Sequence, residues 1–154
     1  MKKIFSFLIA FALIFSFAGC ADNKAKFYEA NSVADALNAN LEFGEELEKS
    51  TADIAYSIYG IDSALCTDAA FYSGSGATAD EIAVFNCVDE NAVSSVAEAV
   101  ESRLDYLHEG YSSYGPQEVP KIESAAVITE GNTVILCICN NAENVKAVAD
   151  SVAD

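Results

Sequence analysis

The side chains of this sequence that could do chemistry are mostly carboxylates and tyrosines, with five cysteines and one histidine among 154 residues. They gather in two short polar stretches. One is Thr78-Ala-Asp80-Glu81, which leads into an apolar run, and the other is Tyr111-x-x-Tyr114-x-Pro116-x-Glu118. Acid and base catalysis by carboxylates needs two of them converging in one pocket. Asp80 and Glu81 cannot be that pair inside a regular strand, because neighbouring side chains point to opposite faces. If the later stretch folds over the earlier one, Tyr111, Tyr114 and Glu118 meet Asp80 and Glu81. A polar and aromatic cluster of that kind can bind a small ligand. The same five residues also suit a packed tyrosine turn with a purely structural role.

Other chemistries find less support. His108 would have to serve every nucleophile scheme, and no local nucleophile motif surrounds a Ser or Cys. Gly74-Ser-Gly76 lacks the lysine and helix that complete a phosphate loop. No zinc-ligand spacing is present, so no metal and no cofactor is expected. Two rivals to simple ligand binding remain. An acidic hydrolase would draw on Asp80, Glu118 and Glu123, and a divalent-cation site on Glu101, Asp105 and Glu109 or on Asp89 and Glu90.

Cys20 differs in kind from the other cysteines. Lys2 and Lys3 precede an apolar run from Ile4 to Ala18, broken only by Ser6 and Ser16, and Ala18-Gly19 then stands directly before Cys20. This charged, apolar, small-residue order is that of a secretory signal. A transmembrane helix would need about 20 apolar residues, and the run is shorter. Phe17-Ala18-Gly19-Cys20 resembles a bacterial lipobox, with Phe17 in place of the usual leucine. Residues 1–19 are therefore expected to be a signal peptide, with an acylated Cys20 and a tether over 20–30. Membrane lipid would be the first partner, on the extracytoplasmic face of the cell membrane.

Cys66, Cys87, Cys137 and Cys139 each lie in apolar context and are read mainly as buried thiols. Cys137 and Cys139 would share a strand face with Cα atoms nearly 7 Å apart, close to the limit for a disulfide.

The remaining 135 residues suit one domain, taken as 31–154. Residues 1–19 carry Lys2 and Lys3 as their only charges, so six Lys and Arg face 24 Asp and Glu, for a net charge of −18. No basic cluster is left to replace the counterions of a phosphate backbone, which argues against nucleic acid.

Elements that could position the cluster follow from periodicity. A short helix is expected to be capped by Ser32 and to bury Val33, Leu37 and Leu41. A second is expected from Gly44 to Tyr59, with Leu47, Thr51, Ile54 and Ile58 on one face and Gly60-Ile61 as its left-handed end. Ala69–Ser73 and Glu81–Val88 read as a hairpin. The second of these strands is apolar on both faces and so should be central and covered on both sides. A long helix from about Asp89 to Gly110 buries Val93, Val96, Val100, Leu104 and Leu107, with His108 near its end. Ile122–Thr129 and Thr133–Cys139 form a second hairpin around Gly131. A last helix, Ala142–Val152, would be capped reciprocally by Asn140 and Glu143. The expected fold is α+β: an antiparallel sheet of two hairpins, in the order hairpin-helix-hairpin-helix, with the preceding helices packed on it.

The lipobox, Tyr59-Gly-Ile-Asp62, Ala79-Asp-Glu-Ile-Ala-Val-Phe85, the Tyr-Tyr-Pro-Glu element and Gly131-Asn132 together resemble a family of exported bacterial lipoproteins. That family is built on a domain of unknown function, number 4358 of its series. The resemblance spans roughly Leu37 to Val152 and implies localisation and domain extent, with no assigned activity. A non-enzymatic binding or accessory module at the cell envelope is the function expected, with an envelope protein or small ligand as further partner.

Overall fold

A computed structural model describes residues 26–154, and the signal segment, Cys20 and most of the tether lie outside the described residues. The chain order is α1 (Ala30–Asn40), β1 (Glu48–Ser50), α2 (Ala52–Tyr59), β2 (Cys66–Ser73), β3 (Glu81–Cys87), α3 (Glu90–Tyr114), α4 (Val119–Glu123), β4 (Ala126–Glu130), β5 (Thr133–Ile138) and α5 (Val145–Asp150). The fold is α+β, with one antiparallel sheet in the order β1-β2-β3-β5-β4. Both hairpins form, and they join where β3 pairs with β5. Among the described residues no helix is long and apolar enough to cross a membrane.

β3 and β5 are central, and every residue of both is buried. Phe71, Ala83, Phe85, Leu136 and Ile138 pack on one face with residues of α2, α3 and α4. Tyr72, Ile82, Val84, Ile135 and Cys137 pack on the other with α1 and α5. Helices therefore cover both faces, which is what the doubly apolar strands require.

The N-terminal half departs from the sequence reading where one stretch has to serve both layers. Leu47 belongs to the core beneath α1, whereas Ala55 and Tyr59 belong to the core beneath α3. One straight helix over 44–59 cannot reach both. The chain instead passes the sheet edge as β1, whose Ser50 pairs with Phe71, and turns helical only at Ala52. Rotation of α2 then buries Ala55 and Tyr59 and leaves Ile54 and Ile58 exposed. Gly60 ends α2 at φ 65, and the amide of Ile61 donates to Tyr56 O, the left-handed cap read from the sequence.

The caps differ as well. Glu29, not Ser32, caps α1 by accepting from the amides of Asn31 and Ser32, which brings Ala30 into the buried stripe with Val33, Ala34 and Leu37. The Ser32 side chain, together with these amide bonds, holds the Glu29 carboxyl down to about 2. The expected box of Asn140 and Glu143 is not made. The Asn140 amide donates to Glu42 O and Asn141 Oδ1 accepts from the Glu42 amide, tying down the loop after α1. A 3-10 turn over Ala142–Asn144 precedes α5, which ends at Asp150.

α3 runs one turn past Gly110, to Tyr114. His108 is thus removed from the helix end, and its Nε2 lies 3.4 Å from Glu123 Oε1. Residues 119–123, of which Ile122 and Glu123 were expected to open a strand, form α4 with Pro120 in its first turn, where a missing amide hydrogen costs nothing. Burial of Ile122 against the α3 layer decides it, and β4 starts at Ala126.

Candidate functional site

The polar cluster is assembled at the end of the sheet where β2 leaves and β3 begins. Tyr111 stands on the last turns of α3, and its hydroxyl donates to the carbonyls of Gly76 and Thr78, fastening the helix to the hairpin loop. The following turn delivers Glu118, whose Oε2 accepts from the Ala79 amide at 3.0 Å and from Lys121 Nζ at 2.9 Å. Asp80 has its side chain fully buried. It accepts from Lys121 Nζ at 2.9 Å on one oxygen and from the Gly44 amide at 2.7 Å on the other. One ammonium thus serves two carboxylates. Burial opposes charge on Glu118, yet the Ala79 amide and Lys121 outweigh it and hold its carboxyl below the usual range. Burial likewise opposes charge on Lys121, and Glu118 and Asp80 keep it raised.

Glu81 turns the other way, as the alternation along a strand dictates. Its Oε1 accepts from Tyr59 OH at 2.5 Å and from Arg103 Nε at 3.2 Å, and its Oε2 accepts from Arg103 Nη2 at 2.6 Å. The guanidinium lies over the rings of Tyr59 and Tyr106, 5.9 and 5.6 Å from their centroids. Burial, then the Glu81 carboxylate, push the Tyr59 hydroxyl well above its ordinary range. Two nitrogens of Arg103 are engaged by Glu81, and Nη1 carries no hydrogen bond among the described residues.

A cleft of about 310 Å³ opens here. The 73–79 loop forms one wall, with Ile58 of α2 and Arg103, Tyr106, Tyr111 and Tyr114 of α3 around it, and Asp80 and Glu81 at its base. Its rim is apolar and open to solvent: Ile58 is 40%, Tyr106 69% and Tyr114 65% exposed. Tyr114 lies against Tyr111 with ring centroids 4.7 Å apart. Gly74 lies in the same wall, and the Glu45 carboxylate occupies the space a side chain there would need. Glu45 in turn accepts from the Thr78 hydroxyl and amide.

The structure therefore brings together Asp80, Glu81, Tyr111 and Tyr114 around one cleft, with Glu118 behind its base. It does not bring Glu123 to them, since that side chain is 61% exposed and faces His108. Glu101, Asp105 and Glu109 are exposed along α3, and among the described residues no group of three or more His, Cys, Asp and Glu could hold a metal ion. Tyr59, Arg103, Tyr106, Lys121 and Ile58 complete the site, and none of them is among the site residues expected from the sequence. One signal was available: Arg103 is the single arginine of the chain.

Fold and site define an α+β domain whose sheet is covered on both faces and whose one end carries an aromatic-rimmed cleft over fixed ion pairs. A family model described as a domain of unknown function, DUF4358, matches residues 39–139, and the chain belongs to that family. The match takes in the whole sheet, α2 to α4 and every cleft residue, and leaves out α5 and most of α1. No curated protein and no solved structure matches the chain.

Proposed function

We propose that the protein is a lipid-anchored module on the extracytoplasmic face of the cell membrane, acylated at Cys20, which binds a small ligand in the cleft. The observation that carries the binding reading is the pairing of a solvent-exposed apolar rim with a rigid polar base. Ile58, Tyr106 and Tyr114 remain open to water beside an arginine that Glu81, Tyr59 and Tyr106 hold in place and whose Nη1 is available. Sites for small molecules combine apolar walls with a few fixed polar groups in this way. The carboxylates at the base are held by Lys121 and Arg103, so their contribution is a frame for the guanidinium and the loop. Arg103 Nη1 would donate to an acceptor of the ligand, and the tyrosine rims would cover its apolar or ring-shaped part.

Support for the anchor comes from the sequence alone: Lys2-Lys3, the apolar run, and Ala18-Gly19 before Cys20. Acylation contributes about 0.8 kcal/mol per buried methylene, so two chains hold a protein firmly at a bilayer.

Peptide and sugar fragments of cell-envelope polymers should be titrated into isotope-labelled protein while amide shifts are followed. Saturable shifts at Ser75, Gly76, Arg103 and Tyr106 are expected, with affinity falling at least about tenfold in Tyr106→Ala, a loss of 1.4 kcal/mol. Shifts confined to other surfaces would overturn the cleft. Turnover of such a fragment, lost in Asp80→Asn or Glu118→Gln variants that still fold, would replace binding by hydrolysis.

A further inference from the structure

We infer that Cys66 and Cys87 form a reversible cross-strand disulfide, a modification site at the end of the β2–β3 hairpin remote from the cleft. The two residues are direct partners in the β2–β3 register. The Val88 amide donates to Leu65 O, one position outside the pair on each strand. Cys66 and Cys87 are therefore a non-hydrogen-bonded pair, the kind whose Cα atoms approach to about 4.5 Å. Disulfides bridge Cα separations of roughly 4.4 to 6.8 Å. Both side chains lie on the α3 side of the sheet, Cys87 buried in that core and Cys66 partly exposed against it. The register shift between Cys66 and Asp68 makes Thr67 an extra residue, a bulge that ends regular pairing and lets the strand end adjust as the bond forms.

The two thiols are close enough to perturb one another: Cys87, together with burial, pushes the Cys66 thiol up, and Cys66 holds the Cys87 thiol down, so Cys87 is the first to ionise. Cys137 and Cys139 also perturb one another, but they are 0% and 1% exposed and two residues apart, Cys137 in β5 and Cys139 just past its end. That spacing is about 6.8 Å, at the far limit for bridging. The fold thus separates a well-spaced pair with one partly exposed member, Cys66, from a sealed and poorly spaced one.

The oxidant is a disulfide of the glutathione type. One thiolate of the pair attacks it, the S–S bond of the oxidant breaks, and one glutathione thiolate leaves. The second cysteine, deprotonated, attacks the cysteine sulfur of the mixed disulfide and expels the second glutathione thiolate. The pair loses two electrons and two protons, which end on two glutathione thiols, and an excess of reduced glutathione reverses both steps.

Full-length protein carrying Cys20→Ser should be reduced, equilibrated in glutathione buffers of increasing oxidising strength, quenched in acid, alkylated and peptide-mapped. A Cys66–Cys87 link is expected, with a loss of two hydrogens, while Cys137 and Cys139 alkylate only after unfolding. Cys66→Ser should abolish the link and leave Cys87 as a glutathione adduct or a free thiol. The linked protein should melt several degrees above the reduced one. Full alkylation of Cys66 and Cys87 in the folded protein at every buffer ratio, or linkage of Cys137 to Cys139 in place of this pair, would overturn the inference.

Discussion

Arg103 concentrates the physics of the site in one side chain. It is mostly buried, its partner Glu81 almost wholly so, and removal of one member of such a pair leaves the other charge stranded in low dielectric. Arg103→Ala is expected to lower stability by about 3 to 5 kcal/mol, read from urea unfolding. Tyr106→Ala removes a ring that is mostly in water and should change stability by no more than about 0.5 kcal/mol, so the two separate frame from rim. Carboxylates also set the acid limit of the fold. Glu118 is held below the ordinary range, and Glu29 down to about 2. As pH falls below about 4.5 the unfolded chain takes up these protons before the folded one does. Stability is therefore complete above about pH 4.5 and declines toward pH 2. Glu29→Gln should flatten that decline in melts recorded across this window, and an unchanged slope would show that Glu29 has no part in it.

The elements differ in how plainly their residues announce them. Glu81–Cys87 is apolar at every position but Glu81 and Asn86, and α3 repeats Val93, Val96, Val100 and Leu107 at helical spacing, so both were legible. Burial on two faces should make Ile82–Phe85 and Val134–Ile138 the slowest amides in hydrogen exchange. Exchange from those segments as fast as from α4 would contradict the sheet order. β1 was not legible because a three-residue edge strand, Glu48-Lys-Ser50, has no apolar alternation; the register of Ser73 to Phe71 specifies it. α4 was hidden by Pro116 and Pro120, which read as breakers although each opens a helical turn. Asn86 likewise carries no local signal of its role. Its amide donates to Tyr28 O and Thr133 Oγ1 while its carbonyl accepts from the Ala30 amide, binding the N-terminal segment to the sheet. Such a role depends on partners 56, 58 and 47 residues away, which no local pattern records. The cleft was half legible for the same reason: Asp80, Glu81, Tyr111, Tyr114 and Glu118 stood out as polar stretches, whereas Arg103 and Lys121 gain their meaning only from carboxylates brought in by other elements. Gly60 is a position where the local signal and the fold agree. Gly60→Ala should cost about 1 kcal/mol, since an L side chain at φ 65 is disfavoured with no clash to blame.

At the scale of the whole molecule, the two ends of β3 have different neighbours. The Glu81 end carries the cleft, and the Cys87 end lies beside Lys26, Phe27 and the Gly131-Asn132 turn, where the described chain begins. Seven residues of strand separate them by roughly 20 Å. If Cys20 is acylated, six residues of tether reach at most about 22 Å from the bilayer to Lys26. The described chain begins at the Cys87 end, so on such a tether that end would lie nearer the lipid on average and the cleft farther from it. If residues 1–19 are removed, the net charge becomes −18, and anionic headgroups would repel the domain as a whole. The acylated protein in nanodiscs containing paramagnetic headgroups should therefore lose amide signal at Lys26, Asn132 and Val88 and keep it at Ser75, Gly76 and Tyr114. Cys20→Ala should abolish both the broadening and membrane fractionation. Equal broadening at the two ends would mean that the tether leaves the domain free to tumble, and the reverse pattern would put the cleft against the membrane, where only a lipid-borne ligand could reach it.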